Sequence, residues 1–141
     1  MVNKVILIGR LGRDPETRFT PGGTQVCNFT MATDENFKDK SGQWQKRTEW
    51  HRIVAWAGLA DRCSQILKKG NLAYIEGRLQ TREWNDRDGN KRTTTEIVAR
   101  TMRILSPKGE PALEMEAAGA SHGPEPPEDL ATEITDEDVP F

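Results

Sequence analysis

Apolar and polar residues alternate through most of the first hundred positions, with the period of β-strands. In VNKVILIGRLGRDPE, Val5, Leu7 and Leu11 fall on one face with Gly9 between them, and Ile6 and Ile8 fall on the other. A strand that is apolar on both sides near its middle is predicted to lie centrally in its sheet. Gly9 and Gly12 are placed to allow bends or a close backbone approach. FTPGGTQ supplies a turn, after which QVCNFTMATDE sets Cys27, Phe29 and Met31 against a mixed face of Val26, Asn28, Thr30 and Ala32. NFKDKSGQWQKR is polar and basic, with a Ser41-Gly42 turn and two isolated aromatics, Phe37 and Trp44, and reads as a long hairpin loop. TEWHRIVAWAG predicts a third strand, with Trp50, Arg52, Val54 and Trp56 on one face and Glu49, His51, Ile53 and Ala55 on the other.

At GLADRCSQILKKG the period becomes helical. Leu59, Cys63, Ile66 and Leu67 make one stripe, Lys68 and Lys69 occupy the expected last turn, and Gly70 is placed to cap it. NLAYIEGRLQTREW restores a strand, with Ala73, Ile75 and Leu79 opposite Leu72, Tyr74, Glu76 and Arg78. An Asp88-Gly89 turn folds the chain back into RTTTEIVARTMRIL, a fifth strand with a break near Thr101. Three strands, a helix and two more strands with projecting ribbons predict an all-β fold: the OB fold, a five-stranded, partly open Greek-key barrel carrying one helix. This body is assigned to residues 1–108.

Composition then shifts. Residues 109–135 carry Pro and Gly breakers with few large apolar groups and are predicted to be a disordered linker, followed by a tip at 136–141. Residues 1–109 hold all 20 Lys and Arg against 12 Asp and Glu, a balance of +8. Residues 110–141 hold 10 acidic groups and no Lys or Arg, a balance of −10. A basic body suits a polyanionic partner, and a tethered acidic tail is either a competitor for that surface, a handle for another protein, or a solubility tail. No run of eighteen apolar residues is present, and the apolar run between Lys4 and Arg10 is too short for a secretory signal, so a cytoplasmic protein is expected.

Catalytic chemistry lacks residues. His51 and His122 are the two imidazoles, no HExxH or phosphate-binding glycine-lysine loop occurs, and GRLGRDPE lacks the third glycine of a dinucleotide fingerprint. Cys27 and Cys63 form no CxxC pair and read as buried hydrophobes. Asp86, Asp88 and Glu96 lie in or near a hairpin whose turn chemistry explains the aspartates. No enzyme, cofactor or metal site is assigned. His51, opposite Trp50 on its strand, reads as a core or subunit-interface residue.

Aromatic rings interleaved with cations are what the body does supply. Phe37, Trp44, Trp50, Trp56 and Trp84 stand close to Lys38, Lys40, Lys46, Arg47, Arg52, Arg82 and Arg87. Unpaired bases stack on such rings whatever their identity, and the cations track phosphates. Trp50 and Trp56 share a face with Arg52, which favours an exposed platform over core packing; Trp44 can instead lean on its own loop, and Tyr74 can brace a subunit contact.

VNKVILIGRLGRDPE, TEWHRIVAWAG, YIEGRLQTREW and DEDVPF, in this order, resemble the bacterial single-stranded DNA-binding protein family. The resemblance implies an OB-fold homotetramer that coats single-stranded DNA and recruits enzymes of replication, recombination and repair. It implies stacking by Phe37, Trp50, Trp56 and Trp84, with tryptophan frequent in the family at the first position and phenylalanine common at the third. Phosphate contacts then fall to Lys38, Lys46, Arg47, Arg52, Arg82 and Arg87, and subunit contacts to His51 and Tyr74. Asp136, Glu137, Asp138, Val139, Pro140 and Phe141 match the family's partner-binding tip, with Glu137 and Val139 as conservative departures, and the terminal ring and carboxylate form the anchor. An adaptor OB module that mainly docks proteins, and an RNA-binding OB protein, are the alternative readings.

Overall fold

A computed structural model describes residues 1–106; the linker and the tip assigned to 109–135 and 136–141 lie outside the described residues. The elements are β1 (Val5–Leu11), β2 (Glu16–Phe19), β3 (Gln25–Lys38), β4 (Trp44–Trp56), α1 (Ala57–Ile66), β5 (Leu72–Asn85) and β6 (Lys91–Ile104). Their sheet order is β1-β5-β6-β4-β3-β2, and β1 also pairs with β3 through Arg10↔Ala32 and Leu11↔Met31. Five strands thereby close on themselves, with one helix against them. This is the predicted OB barrel.

The inward face follows the alternation. Leu11, Cys27, Phe29, Met31, Ile53, Ile75, Ile97 and Met102 form one buried cluster, joined by Ala60 and Cys63 from α1. Burial pushes the thiol of Cys27 up to about 11 and that of Cys63 up to about 12, so both stay protonated and behave as small apolar groups. Among the described residues no helix is long and apolar enough to cross a membrane.

Several expectations need correction. Within NFKDKSGQWQKR, expected to be a long hairpin loop, only residues 39–43 form the turn, since β3 runs on to Lys38 and β4 starts at Trp44. A short strand, β2, pairs with β3 from Glu16↔Asn28 to Phe19↔Gln25, where only a turn was read. Ile6 and Ile8 are each 56% exposed, because a closed barrel covers only the inner face of β1. Helix α1 ends at Ile66, which is itself exposed; Leu67 is the capping residue, and Lys68 and Lys69 lie beyond the last turn. Gly70 adopts φ +83 and donates its N–H to Leu11 O, tying the helix exit to β1. The break near Thr101 does not interrupt β6. It is a slip in register: Glu76 pairs with Thr101 and Gly77 with Ala99, which leaves Arg100 without a ladder partner.

Candidate nucleic-acid interface

The β3–β4 ladder keeps one register from Val26↔Trp56 to Lys38↔Trp44, so alternation alone sorts its side chains. Trp50, Arg52, Val54 and Trp56 share the outer face, and further along the ribbon Lys46 and Trp44 lie on the same side, opposite Lys38. Strand β4 meets β6 in parallel through Ile53↔Ile97 and Val54↔Val98. The outer face therefore continues over Val98, Glu96 and Thr94 to their β5 partners Arg78, Gln80 and Arg82, and on to Trp84. Trp50, Arg52, Trp56, Arg82 and Trp84, which are scattered in sequence, are brought onto one surface.

Each ring on it has a distinct support. The six-membered ring of Trp50 rests over Gly12, where an added Cβ would fall 2.4 Å from Cζ3 and 2.8 Å from Cη2. Gly12 thus makes the seat of Trp50 rather than a bend. Gly12→Ala is expected to push the indole off its seat, weakening single-strand binding about tenfold, within the worth of one stacked base. Oligothymidine titration and the melting temperature check this, the latter staying close to that of the parent chain. Trp84 is oriented differently, by donating Nε1–H to Oγ1 of buried Thr94 at 2.8 Å.

Trp56 does not form the exposed platform expected of it. It is only 9% exposed and packs with Val26, Val54 and Val98 in a second buried cluster, on the outside of the barrel. Three β-branched neighbours wall the indole in, so its main contact is with the sheet beneath the face. Phe37 lies on β3 rather than in a loop. It pairs with Gln45 and, with Arg47, lies on the opposite face of the ribbon from Trp50. The Arg47 guanidinium sits 4.5 Å from the Phe37 ring centroid, a cation–π contact worth about 0.5–1 kcal/mol at an exposed site.

The cations divide in a similar way. Arg82 pairs with Glu96 at 3.2 Å, with side chains only 16% and 12% exposed, so its charge is already answered within the face and it is not the open phosphate contact expected. Lys46 meets Asp34 at 3.2 Å, but both are exposed; such a pair contributes little and exchanges readily for a phosphate. Arg52 is half-buried between Trp50 and Trp56 along the face, while Lys38 and Arg87 are exposed near the two ribbon tips.

The tips share one construction that the sequence reading missed. Asp39 Oδ1 accepts hydrogen bonds from Ser41 N (2.9 Å), Ser41 Oγ (2.6 Å) and Gln43 N (2.9 Å), and Oδ2 accepts from Gln45 Nε2 (3.1 Å). Asp86 Oδ1 accepts from Asp88 N (3.0 Å) and Asn90 N (2.8 Å), and Oδ2 accepts from Arg92 Nε (3.0 Å). Gly42 and Gly89 take φ +84 and +79 at matching places. The hydrogen bonds from Ser41, Gln43 and Gln45 hold the Asp39 carboxyl down at about 2. The lock is in place at ordinary pH and is lost only as pH falls through that value. Phe37 and Trp84 each stand two residues before the tip aspartate, and the residues that pack on them, Arg47 and Thr94, stand eight after it. The legible signal is the repeat FKDKSGQ and WNDRDGN.

The two subunit-contact candidates lie on different strands. His51 occupies the face opposite Trp50 and contacts Thr33 Oγ1 through Nε2 at 2.8 Å. Burial moves its imidazole below the ordinary value, with Glu49 pulling the other way. Tyr74 lies on the outside of β5 beside Ile8, and donates its hydroxyl to Glu76 Oε2 at 2.9 Å, which in turn pairs with Lys4.

Fold and face together define a barrel of the OB type with an aromatic and cationic outer surface. The profile of the Single-strand binding protein family matches residues 2–105. The chain belongs to that family, whose members bind DNA and are not enzymes. It is 62% identical over 108 residues to "Single-stranded DNA-binding protein 1" of Chlorobaculum tepidum, covering 76% of this chain and 67% of that protein. It is 52% identical over 109 residues to the single-stranded DNA-binding protein of Neisseria meningitidis, covering 77% of this chain and 63% of that one. The match therefore spans about two thirds of these relatives' own length. Among solved structures, the Plasmodium falciparum SSB in complex with ssDNA superposes with a TM-score of 0.71 at 32% identity, over 75% of this chain and 97% of that one. A deletion mutant of the Thermus aquaticus single-stranded DNA-binding protein superposes with a TM-score of 0.67 at 34% identity, over 77% of this chain and 52% of that one.

Proposed function

We propose that this chain binds single-stranded DNA without reading its sequence. The observation that carries the reading is the pair Trp50 and Trp84, two partly buried indoles on one outer face, each held in a set orientation, with Arg52 on the same face. Bases of a single strand stack on the two rings, while Arg52, Lys38, Lys46 and Arg87 draw in phosphates. Arg47 and Phe37 serve a segment of strand that passes the other side of the ribbon, and Trp56 stiffens the floor of the face. Intact duplex has no free base planes to offer, which gives the preference for single strands.

In this reading residues 1–108 are the DNA-binding unit, 109–135 a tether and 136–141 the tip that recruits replication, recombination and repair enzymes at nucleoid-associated forks. Assembly into a homotetramer belongs to the same reading. Its support is the uncovered pair Ile6 and Ile8, exposed apolar side chains next to Tyr74 that a second copy would bury, with His51 at a separate contact.

Titration of the full chain with a long oligothymidine and a matched duplex, followed by tryptophan fluorescence at several salt concentrations, tests the proposal. Quenching that saturates with the single strand and is weak with duplex is expected. Each cation that meets a phosphate steepens the slope of log K against log salt by about 0.7. Equal affinity for duplex, or binding indifferent to salt, would sink the reading.

A further inference from the structure

Trp44 lies at the far end of the outer face and has no role in the binding described so far. It is 73% exposed, belongs to neither buried cluster, and does not lean on its own hairpin. The unbroken β3–β4 register places it on the face of the ribbon that carries Trp50. Six residues of strand separate the two indoles, about 20 Å. Lys38 is its cross-strand partner, and Lys46 is the next residue of β4 on the same face.

Three physical features bear on what this indole meets. Its neighbours are cations: Lys38 is exposed, Lys46 has only a solvent-exposed pairing with Asp34, and the carboxylate of Asp39 is occupied by donors within the turn. An apolar plate set between lysines complements a polyanion with planar apolar groups better than it complements an apolar protein surface. The backbone that carries the plate is set in advance, because the Asp39 network and the φ +84 of Gly42 fix the adjoining turn, so binding need not order that turn. Finally, its face continues without interruption into the Trp50 and Arg52 surface.

We propose that Trp44 is a further stacking platform for single-stranded DNA, outboard of Trp50, with Lys38 and Lys46 holding the phosphates on either side of the base it receives. This inference rests on the single-strand reading and extends the bound path along the β3–β4 ribbon. Its test uses the full chain, fluorescein-labelled oligothymidines of increasing length, and the variants Trp44→Ala, Trp44→Phe and Trp50→Ala, read by anisotropy, with sedimentation and melting of each free protein. Trp44→Ala is expected to bind a long oligothymidine about five- to thirtyfold more weakly, with the deficit vanishing for oligomers too short to run from Trp50 to the ribbon tip. Trp44→Phe is expected to keep most of the affinity. Full affinity in Trp44→Ala beside a clear loss in Trp50→Ala would overturn the inference and leave the single-strand reading standing. No strand binding by the parent chain would overturn both. Altered sedimentation of free Trp44→Ala, with affinity unchanged, would make the indole a protein contact and overturn it as well.

Discussion

Alanine at both Trp50 and Trp84 is expected to weaken oligothymidine binding by about thirtyfold at the least and by several orders of magnitude at the most. Each stacked base contributes on the order of 1 to 3 kcal/mol, and the two rings occupy different strands, so their losses should be close to additive. The measurement is anisotropy of a labelled oligothymidine, since two of the four tryptophans are being removed. Phenylalanine at the same two positions is the informative companion. A base can still stack on a benzene ring, whereas the Trp84 hydrogen bond to Thr94 is lost, so the phenylalanine pair should recover much of the affinity but not all. Affinity unchanged in the alanine pair would remove the stacking mechanism, whatever the chain otherwise binds. Trp56→Ala belongs to another class. Its ring is packed among Val26, Val54 and Val98, so truncation costs about 3–5 kcal/mol of stability and reports on the floor of the face before it reports on DNA.

The contrast between Trp50 and Trp56 shows how far the sequence could be read. Strict alternation from Trp50 to Trp56 predicted a shared face, and the ladder has it. Alternation says nothing about what stands beside a side chain on neighbouring strands, and Val26 and Val98 come from segments far away in sequence. Arg82 shows the same limit: its position near Trp84 was legible, but the carboxylate that neutralises it is Glu96 on β6. The face of Phe37 is hidden from the sequence for a different reason. Polar composition and a Ser-Gly pair made its surroundings look like loop, and once the ribbon is seen as ladder, counting by twos from Trp50 sets Phe37 on the other side. Gly12 was read as a possible bend, because its seat for Trp50 exists only after β1 and β4 are brought together. The barrel itself, its single helix and its inward residues were largely legible, since each depends on local period.

Gly77→Ala is expected to cost about 3 kcal/mol or more of stability, whereas Gly58→Ala is expected to add about 0.5–1 kcal/mol. The same methyl group has opposite signs because of what it meets. At Gly58, near the start of α1, a Cβ meets nothing within 4 Å, and alanine favours the helix. At Gly77 it would lie 2.1 Å from Val98 O, 2.9 Å from Val98 C and 3.0 Å from Ala99 Cα, all of them backbone atoms in a paired strand that have no rotamer to change. Urea unfolding of the full chain measures both, and a Gly77→Ala chain within about 1 kcal/mol of the parent would show a junction far more plastic than this packing implies. The consequence reaches the interface. Met102 faces the core at an even position of β6, while Ile97 and Ala99 face it at odd ones, and only the one-residue slip at Arg100 reconciles them. That slip turns Val98 and Thr94 outward, beneath Trp56 and beside Trp84, and Gly77 stands opposite it, where the backbone of β6 leaves no room for a Cβ. A side chain there would strain the slip that supplies two of the supports of the aromatic face, so single-strand affinity should fall along with stability in any Gly77→Ala chain that still folds.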